Sequence, residues 1–166
     1  LYCPRGKMIG GCSSHNGMVF ARGHKEDFDR WASYGLDKWS FEKVLPYFKK
    51  LETWSGENSW RGSRGPLKVN KSKINKKFPL FNSVLQAAEE AGYNIFEDLN
   101  SSNNEGFGTF DVTIDKGVRQ SIAKAYIDPI NNRKNLKVIR NTYVKKIIFK
   151  NKVAIGVEYI KNNKTE

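Results

Sequence analysis

The sequence predicts a mixed α/β fold on three observations. Apolar residues recur at helical spacing over residues 39–52 and 79–92. Residues 143–149 and 153–160 instead alternate as strands on either side of Lys150-Asn151-Lys152, a hairpin loop. Helical and strand-like stretches interleave along the chain, the pattern of helices packed on a sheet. No segment repeats and none is of low complexity.

Residues 1–5 read as an extended lead-in ending at Pro4. Residues 5–23, R-G-K-M-I-G-G-C-S-S-H-N-G-M-V-F-A-R-G, then gather five glycines around small polar side chains, with cations at both ends. Glycine lets the backbone take positive φ and come close to a ligand, at an entropic cost that a bare linker has no need to bear. Ser13 and Ser14 follow the Gly10-Gly11 pair as helix N-cap residues. A helix starting there would aim free N–H groups at an anion such as a pyrophosphate, with Arg5 and Lys7 adding charge. The alternative is a tight turn packed under a helix.

Residues 24–31, H-K-E-D-F-D-R-W, carry acidic residues in an opening helical turn, with Phe28 and Trp31 three apart. His24 reads as a helix-start surface residue. The helix over 39–52 has Ser40 as cap and Glu42 just inside, with Val44, Leu45, Phe48 and Leu51 on one face. Pro46 falls within that pattern, so a kink or break is expected near Leu45. The aromatics here are core residues or, for Trp31 and Trp39, the wall of a cofactor site. Residues 56–65 form a polar loop before a short strand at 66–70, and 71–77 form a basic connector. The helix over 79–92 presents Leu80, Val84, Leu85 and Ala88 and stops at Gly92. A polar loop at 97–104 precedes a strand at 107–113 and a helix at 120–130, begun by Ser121 and closed at Pro129. Residues 136–141 read as a further strand.

The 166 residues suffice for one ordinary domain with a core. A formal charge of +12 suggests nucleic acid or an acidic surface as partner. The cations, however, are scattered through Lys/Asn-rich stretches such as 70–77 and 161–164, and no continuous basic stripe emerges. A solvated surface is therefore expected, with no nucleic acid bound. Cys3 and Cys12 are the only cysteines, and with His15 and His24 they make no zinc-ligand spacing. A reducing compartment suits them. No run is long enough to span a bilayer and none reads as a signal peptide. The chain starts at Leu1 rather than Met and stops on a polar tail, as if both ends were cut from a longer protein.

The G-x-G-x-x-G fingerprint between a strand and a helix is absent, and G-F-G at 106–108 reads as a turn. Walker loop, H-E-x-x-H and nucleophile elbow are also absent. Glu26-Asp27 and Glu89-Glu90 fall on helix surfaces, not as an acid/base couple. His15, read from the residues alone, is either a surface group or a specialised one.

The run P-R-G-K-M-I-G-G-C-S-S-H-N-G-M-V-F-A-R-G, followed by D-F-D-R-W and V-L-P-Y-F-K-K-L-E, resembles the first signature region of the glucose–methanol–choline (GMC) flavoprotein oxidoreductases. The likeness continues through R-G-x-x-G-P-L at 61–67, A-A-E-E-A-G-Y at 87–93, E-G-F-G at 105–108, G-V-R at 117–119, Ala125-Tyr126 and A-I-G-V-E-Y at 154–159. Ordered matches over this length are far more specific than any one motif, and the choline dehydrogenase-like branch is the nearest in pattern.

The resemblance implies an internal fragment of an FAD-dependent enzyme that oxidises a primary, choline-like alcohol to an aldehyde, with hydride passing to flavin N5. It divides the chain into an FAD-binding part at 1–71, a substrate-domain segment at 72–110, and FAD-binding structure again at 111–166. It carries over Gly10, Gly11, Ser14, His15, Asn16, Gly17 and Met18 as cofactor-loop positions, with Asn16 and Gly17 beside the isoalloxazine. His15 matches the attachment point of covalently flavinylated members, and neutral imidazole is a competent nucleophile towards an oxidised flavin's methyl group. Val144 matches a backbone contact to the adenine, or is an ordinary strand residue. The family's dinucleotide fingerprint lies upstream and its histidine base near the C-terminus. No catalytic residue is therefore assigned here, and the fragment alone is expected to be inactive. Electrons would pass to oxygen or a quinone, in the cytoplasm or peripherally at the inner membrane. A non-catalytic basic module binding nucleic acid or an anionic surface is the contrasting reading.

Overall fold

A computed structural model of the chain describes residues 1–73, 78–102 and 105–165. Two compact units emerge, Leu1–Pro129 and Ile130–Glu166. Part of the expected basic connector at 71–77 and of the polar loop at 97–104 lies outside the described residues.

The first unit is built on a four-stranded sheet. β1 (Val19–Phe20) pairs antiparallel with β6 (Asp111–Val112), β6 antiparallel with β3 (Leu67–Lys71), and β3 parallel with β2 (Glu52–Trp54). The expected strand at 107–113 is thus divided. Its first part, β5 (Phe107–Gly108), pairs instead with β4 (Ile95–Phe96). Phe107 and Gly108 of the G-F-G run form this strand rather than a turn, after a bend at Gly106, and an added Cβ on Gly106 or Gly108 would meet the Asn94 or Phe96 carbonyl. β7 (Ile114–Asp115) and β8 (Val118–Arg119) form a two-residue hairpin, with Lys116 and Gly117 both at positive φ. Trp54, Leu67, Val69 and Ala125 make the apolar core, with Phe20, Leu51 and Tyr126 packed against it.

Three helices flank these strands. α1 (Lys25–Ser33) starts at His24, whose Nδ1 accepts from Glu26 N at 3.3 Å. α2 (Phe41–Leu51) runs unbroken through Pro46. The expected break is absent because Phe41, Val44, Leu45, Phe48 and Leu51 turn inward while Pro46 and Glu42 are exposed. Water can then satisfy the Glu42 carbonyl that proline leaves without its helical donor. Ser40 makes no side-chain cap; Asp29 Oδ1 instead accepts from Phe41 N at 2.9 Å. Phe28, Trp31, Trp39, Phe41, Phe48 and Trp60 pack ring against ring between these helices, though Trp31 and Trp39 remain 42% and 50% exposed.

α3 (Pro79–Glu90) begins on its proline and ends at Gly92, φ 84°. Phe81, Leu85 and Ala88 are its more covered positions, whereas Leu80 and Val84 are exposed. The helix expected at 120–130 does start at Ser121, whose Oγ accepts from Lys124 N. It then winds as a π-turn over Ala123–Ile127 and tightens to a 3-10 turn over Asp128–Ile130, which includes Pro129 and ends one residue beyond it.

The second unit is a hairpin of β9 (Thr142–Lys150) and β10 (Val153–Lys161), with a third strand, β11 (Lys164–Thr165), on β10. Asn151-Lys152 and Asn162-Asn163 make the turns at positive φ, a conformation that asparagine tolerates. Residues 136–141 form no strand: no neighbour among the described residues pairs with them, and Asn141 turns left-handed before β9. Lys146 and Lys145 hold the Glu158 carboxyl below its usual range by hydrogen bonding. No helix among the described residues is long and apolar enough to cross a membrane.

Candidate functional site

The glycine-rich run folds as one 3-10 turn, Gly11–Ser14, rather than as a helix start. Gly10 precedes it at φ 90°, where an added Cβ would run into Ser14 Oγ. The serines bind backward instead of capping forward. Ser13 Oγ donates to the Gly10 carbonyl at 2.6 Å, and Ser14 Oγ donates to that of Ile9 at 2.9 Å. The Cys12 carbonyl accepts from both His15 N and Asn16 N. Gly6 passes so close that an added Cβ would lie 2.6 Å from the Gly11 carbonyl oxygen and 3.0 Å from His15 Cδ2. The His15 ring edge therefore rests against Gly6, with the rest of the residue exposed.

The next three residues are held from the other side. Asn16 Oδ1 accepts from Met18 N at 3.1 Å, within an Asx-type turn that places Met18 at φ 62°. The Met18 carbonyl accepts from Thr113 N at 2.8 Å and from Thr113 Oγ1 at 3.3 Å. Ile122 N donates to Ser13 Oγ at 2.8 Å. Arg119 Nη1 faces the Ser13 carbonyl at 3.2 Å, the Asn16 carbonyl at 2.8 Å and Asn16 Oδ1 at 2.7 Å. Among the described residues, neither Gly17 N–H nor Asn16 Nδ2 meets a partner. Nothing stands within 4 Å of where a Cβ would lie on Gly11 or Gly17. The loop thus offers an open floor with unused N–H donors at its edge.

β1 leaves this loop directly for a buried ionic cluster. Glu52, fully buried, accepts from Arg22 Nη2 at 2.7 Å, from Arg61 Nε at 2.8 Å and Nη2 at 3.0 Å, and from Gly62 N at 3.0 Å. Arg61 Nη1 reaches Asp98 and Asp111, each at 2.7 Å, and its guanidinium lies 4.4 Å from the Trp54 ring centroid. Asn100 donates from its backbone to Asp98 and from Nδ2 to Asp111 and the Phe20 carbonyl, while its Oδ1 accepts from Arg22 N. Three carboxylates face two guanidiniums, and neutral N–H donors take up the excess negative charge. Burial pulls the Arg61 pKa down, but hydrogen bonds to Glu52 and Asp111 outweigh it and leave the group raised. Burial lowers Arg22, which Glu52 only partly offsets. The cluster fixes β1, β2 and β6 together, and so fixes the strand on which the loop ends.

Seven residues expected at the cofactor therefore sit on one loop, with His15, Asn16 and Gly17 exposed and Gly10, Gly11, Ser14 and Met18 half-buried. Val144 lies in the other compact unit, 54% exposed on β9 opposite Tyr159. The sequence reading named Ser13 only as a cap, where it instead ties the turn to Ile122 N, and it missed Thr113, the role of Arg119 and the ionic cluster. G-V-R and R-G-x-x-G marked two of these positions without their roles. In the second motif, an added Cβ on Gly62 or Gly65 would collide with backbone of residues 49–52.

The GMC oxidoreductase profile matches residues 1–166. The chain is 45% identical over 167 aligned residues to an oxygen-dependent choline dehydrogenase of Sinorhizobium medicae, covering 100% of this chain and 30% of that protein. It is 44% identical to the mitochondrial choline dehydrogenase of Homo sapiens, covering 99% and 28%. Among solved structures, pyridoxine 4-oxidase of Mesorbium loti superposes with a TM-score of 0.87 at 26% identity, over 98% of this chain and 32% of that one. An FAD-dependent oxidoreductase of Chaetomium thermophilum gives 0.87 at 30% identity, over 98% and 30%. The chain thus spans about 30% of the length of these relatives. Matched over residues 1–166 by the family profile and over its whole length by the Sinorhizobium medicae relative, the chain belongs to the GMC oxidoreductase family.

Proposed function

We propose that this chain supplies the flavin-facing loop of an FAD-dependent oxidoreductase that converts a primary, choline-like alcohol to its aldehyde. The observation that carries the reading is the open floor of the loop: Gly11 and Gly17 leave room where any side chain would project, and Gly17 N–H and Asn16 Nδ2 meet no partner among the described residues. A flat ring with a polar edge of nitrogen and oxygen acceptors suits that shape and donor set. The bound flavin supplies hydride-accepting chemistry at N5. Gly10, Gly11 and Ser14 shape the turn, and Met18 closes it through its left-handed backbone. His15 is the point of covalent attachment, an exposed imidazole set against Gly6. The Val144 backbone meets the adenine.

Residues 1–71 and 111–166 serve the cofactor, and 72–110 serve the substrate. The electron acceptor is oxygen or a quinone, and the protein works in the cytoplasm or peripherally at the inner membrane. Support comes from the names of the relatives, choline dehydrogenases and FAD-dependent oxidoreductases. The test is to denature the intact protein and follow the flavin. Yellow fluorescence should stay with the unfolded polypeptide and disappear in His15→Ala. Flavin released wholly by acid would refute the covalent bond, and a native protein that binds no flavin would refute the whole reading.

A further inference from the structure

We infer that Arg119 is the positioning residue of the flavin loop, an inference that rests on the flavin reading above. One nitrogen, Nη1, faces three acceptors on the turn that carries His15: the carbonyls of Ser13 and Asn16, and Asn16 Oδ1. These contacts span 103 to 106 positions of sequence, so local chain preference does not set the turn in place. Asn16 Oδ1 is also occupied by Met18 N. With both its acceptor contacts on that side, the amide has one orientation, in which Nδ2 faces away from Arg119 and Met18 N.

Arg119 thereby fixes which face of Asn16 a ligand meets, and it holds the backbone on both sides of His15. Nη1 carries two N–H groups, so the three acceptors share them, and the planar guanidinium fixes their direction while its charge strengthens each bond. A lysine ammonium has three donors but carries them on a flexible stem without that fixed direction, so it restores the contacts only in part. β8 and its tight Lys116-Gly117 turn present the side chain, and Ile122 N, bound to Ser13 Oγ, supplies a second tie three residues on.

The experiment compares intact wild-type protein with Arg119→Gln and Arg119→Lys, measuring Tm of the flavin-free form, FAD affinity and the visible spectrum of bound flavin. The expected result is unchanged Tm, with FAD affinity lowered about tenfold in Arg119→Gln, equivalent to ~1.4 kcal/mol. The flavin absorption bands should shift, and Arg119→Lys should fall between. Asn16→Ser should produce a similar spectral shift, and the double variant Asn16→Ser/Arg119→Gln should be little worse than either alone. Wild-type affinity and spectrum in Arg119→Gln would overturn the inference. So would additive effects in the double variant, or a loss of flavin that merely tracks a fall in Tm. If wild-type protein itself binds no FAD, the flavin reading fails first, an outcome distinct from all of these.

Discussion

Arg61 is 4% exposed, with its guanidinium bonded to Glu52, Asp98 and Asp111. Desolvating such charges costs several kcal/mol per ion, so the cluster persists only while every partner is present. Arg61→Met would leave three buried carboxylates facing Arg22 alone. It should destabilise the protein by ~3–5 kcal/mol in urea unfolding; a loss below ~1 kcal/mol would mean that the carboxylates do not depend on this charge. The motif R-G-x-x-G marked the position, but Asp98 and Asp111 lie 37 and 50 residues away. No periodicity announces a pairing at that range. His15, Asn16 and Met18 were legible only because their string resembles a known signature; the bonds from Arg119 to Asn16 and from Thr113 to Met18 were not.

At the scale of the element, α1 and α2 are coupled by a carboxylate. Asp29 bonds Lys25 on its own helix and the first backbone N–H of α2. Both bonds, that to Lys25 the larger, hold its pKa below the usual carboxylate value. A lowered folded pKa gives stabilisation that is present above the unfolded value of ~3.9 and lost as pH falls through the folded one. Asp29→Ala should therefore lower Tm at pH 7, and the gap from wild type should close on acidification below that value. A gap that stays constant to pH 2 would contradict the ionic cap. Helical periodicity located α1, α2 and α3 to within a few residues because each has one inward face. It allowed a break at Pro46, which sits on the wet side of a continuous α2, and it misread residues 136–141, whose alternation finds no strand to pair with among the described residues. A strand is defined by its neighbour as well as by its own pattern.

At the scale of the molecule, the first unit has both an apolar core and an ionic one, and its sheet joins β1 beside the loop to β6 and β3. The mixed α/β class was legible from interleaved periodicities, whereas the strand order β1-β6-β3-β2 was not, since it depends on contacts between distant segments. The second unit contains no buried residue among those described. Its three-stranded sheet therefore holds no buried core of its own among those residues.

The central claim, that the open floor of residues 10–18 receives a flavin, is tested most directly by filling it. Gly17 has open space at its Cβ position and no positive φ, so a side chain there leaves the fold undisturbed. FAD titration of intact Gly17→Val beside wild type, with Tm of the flavin-free forms, should show unchanged Tm and affinity lowered by at least about tenfold. Equal affinity in the two proteins would contradict the account.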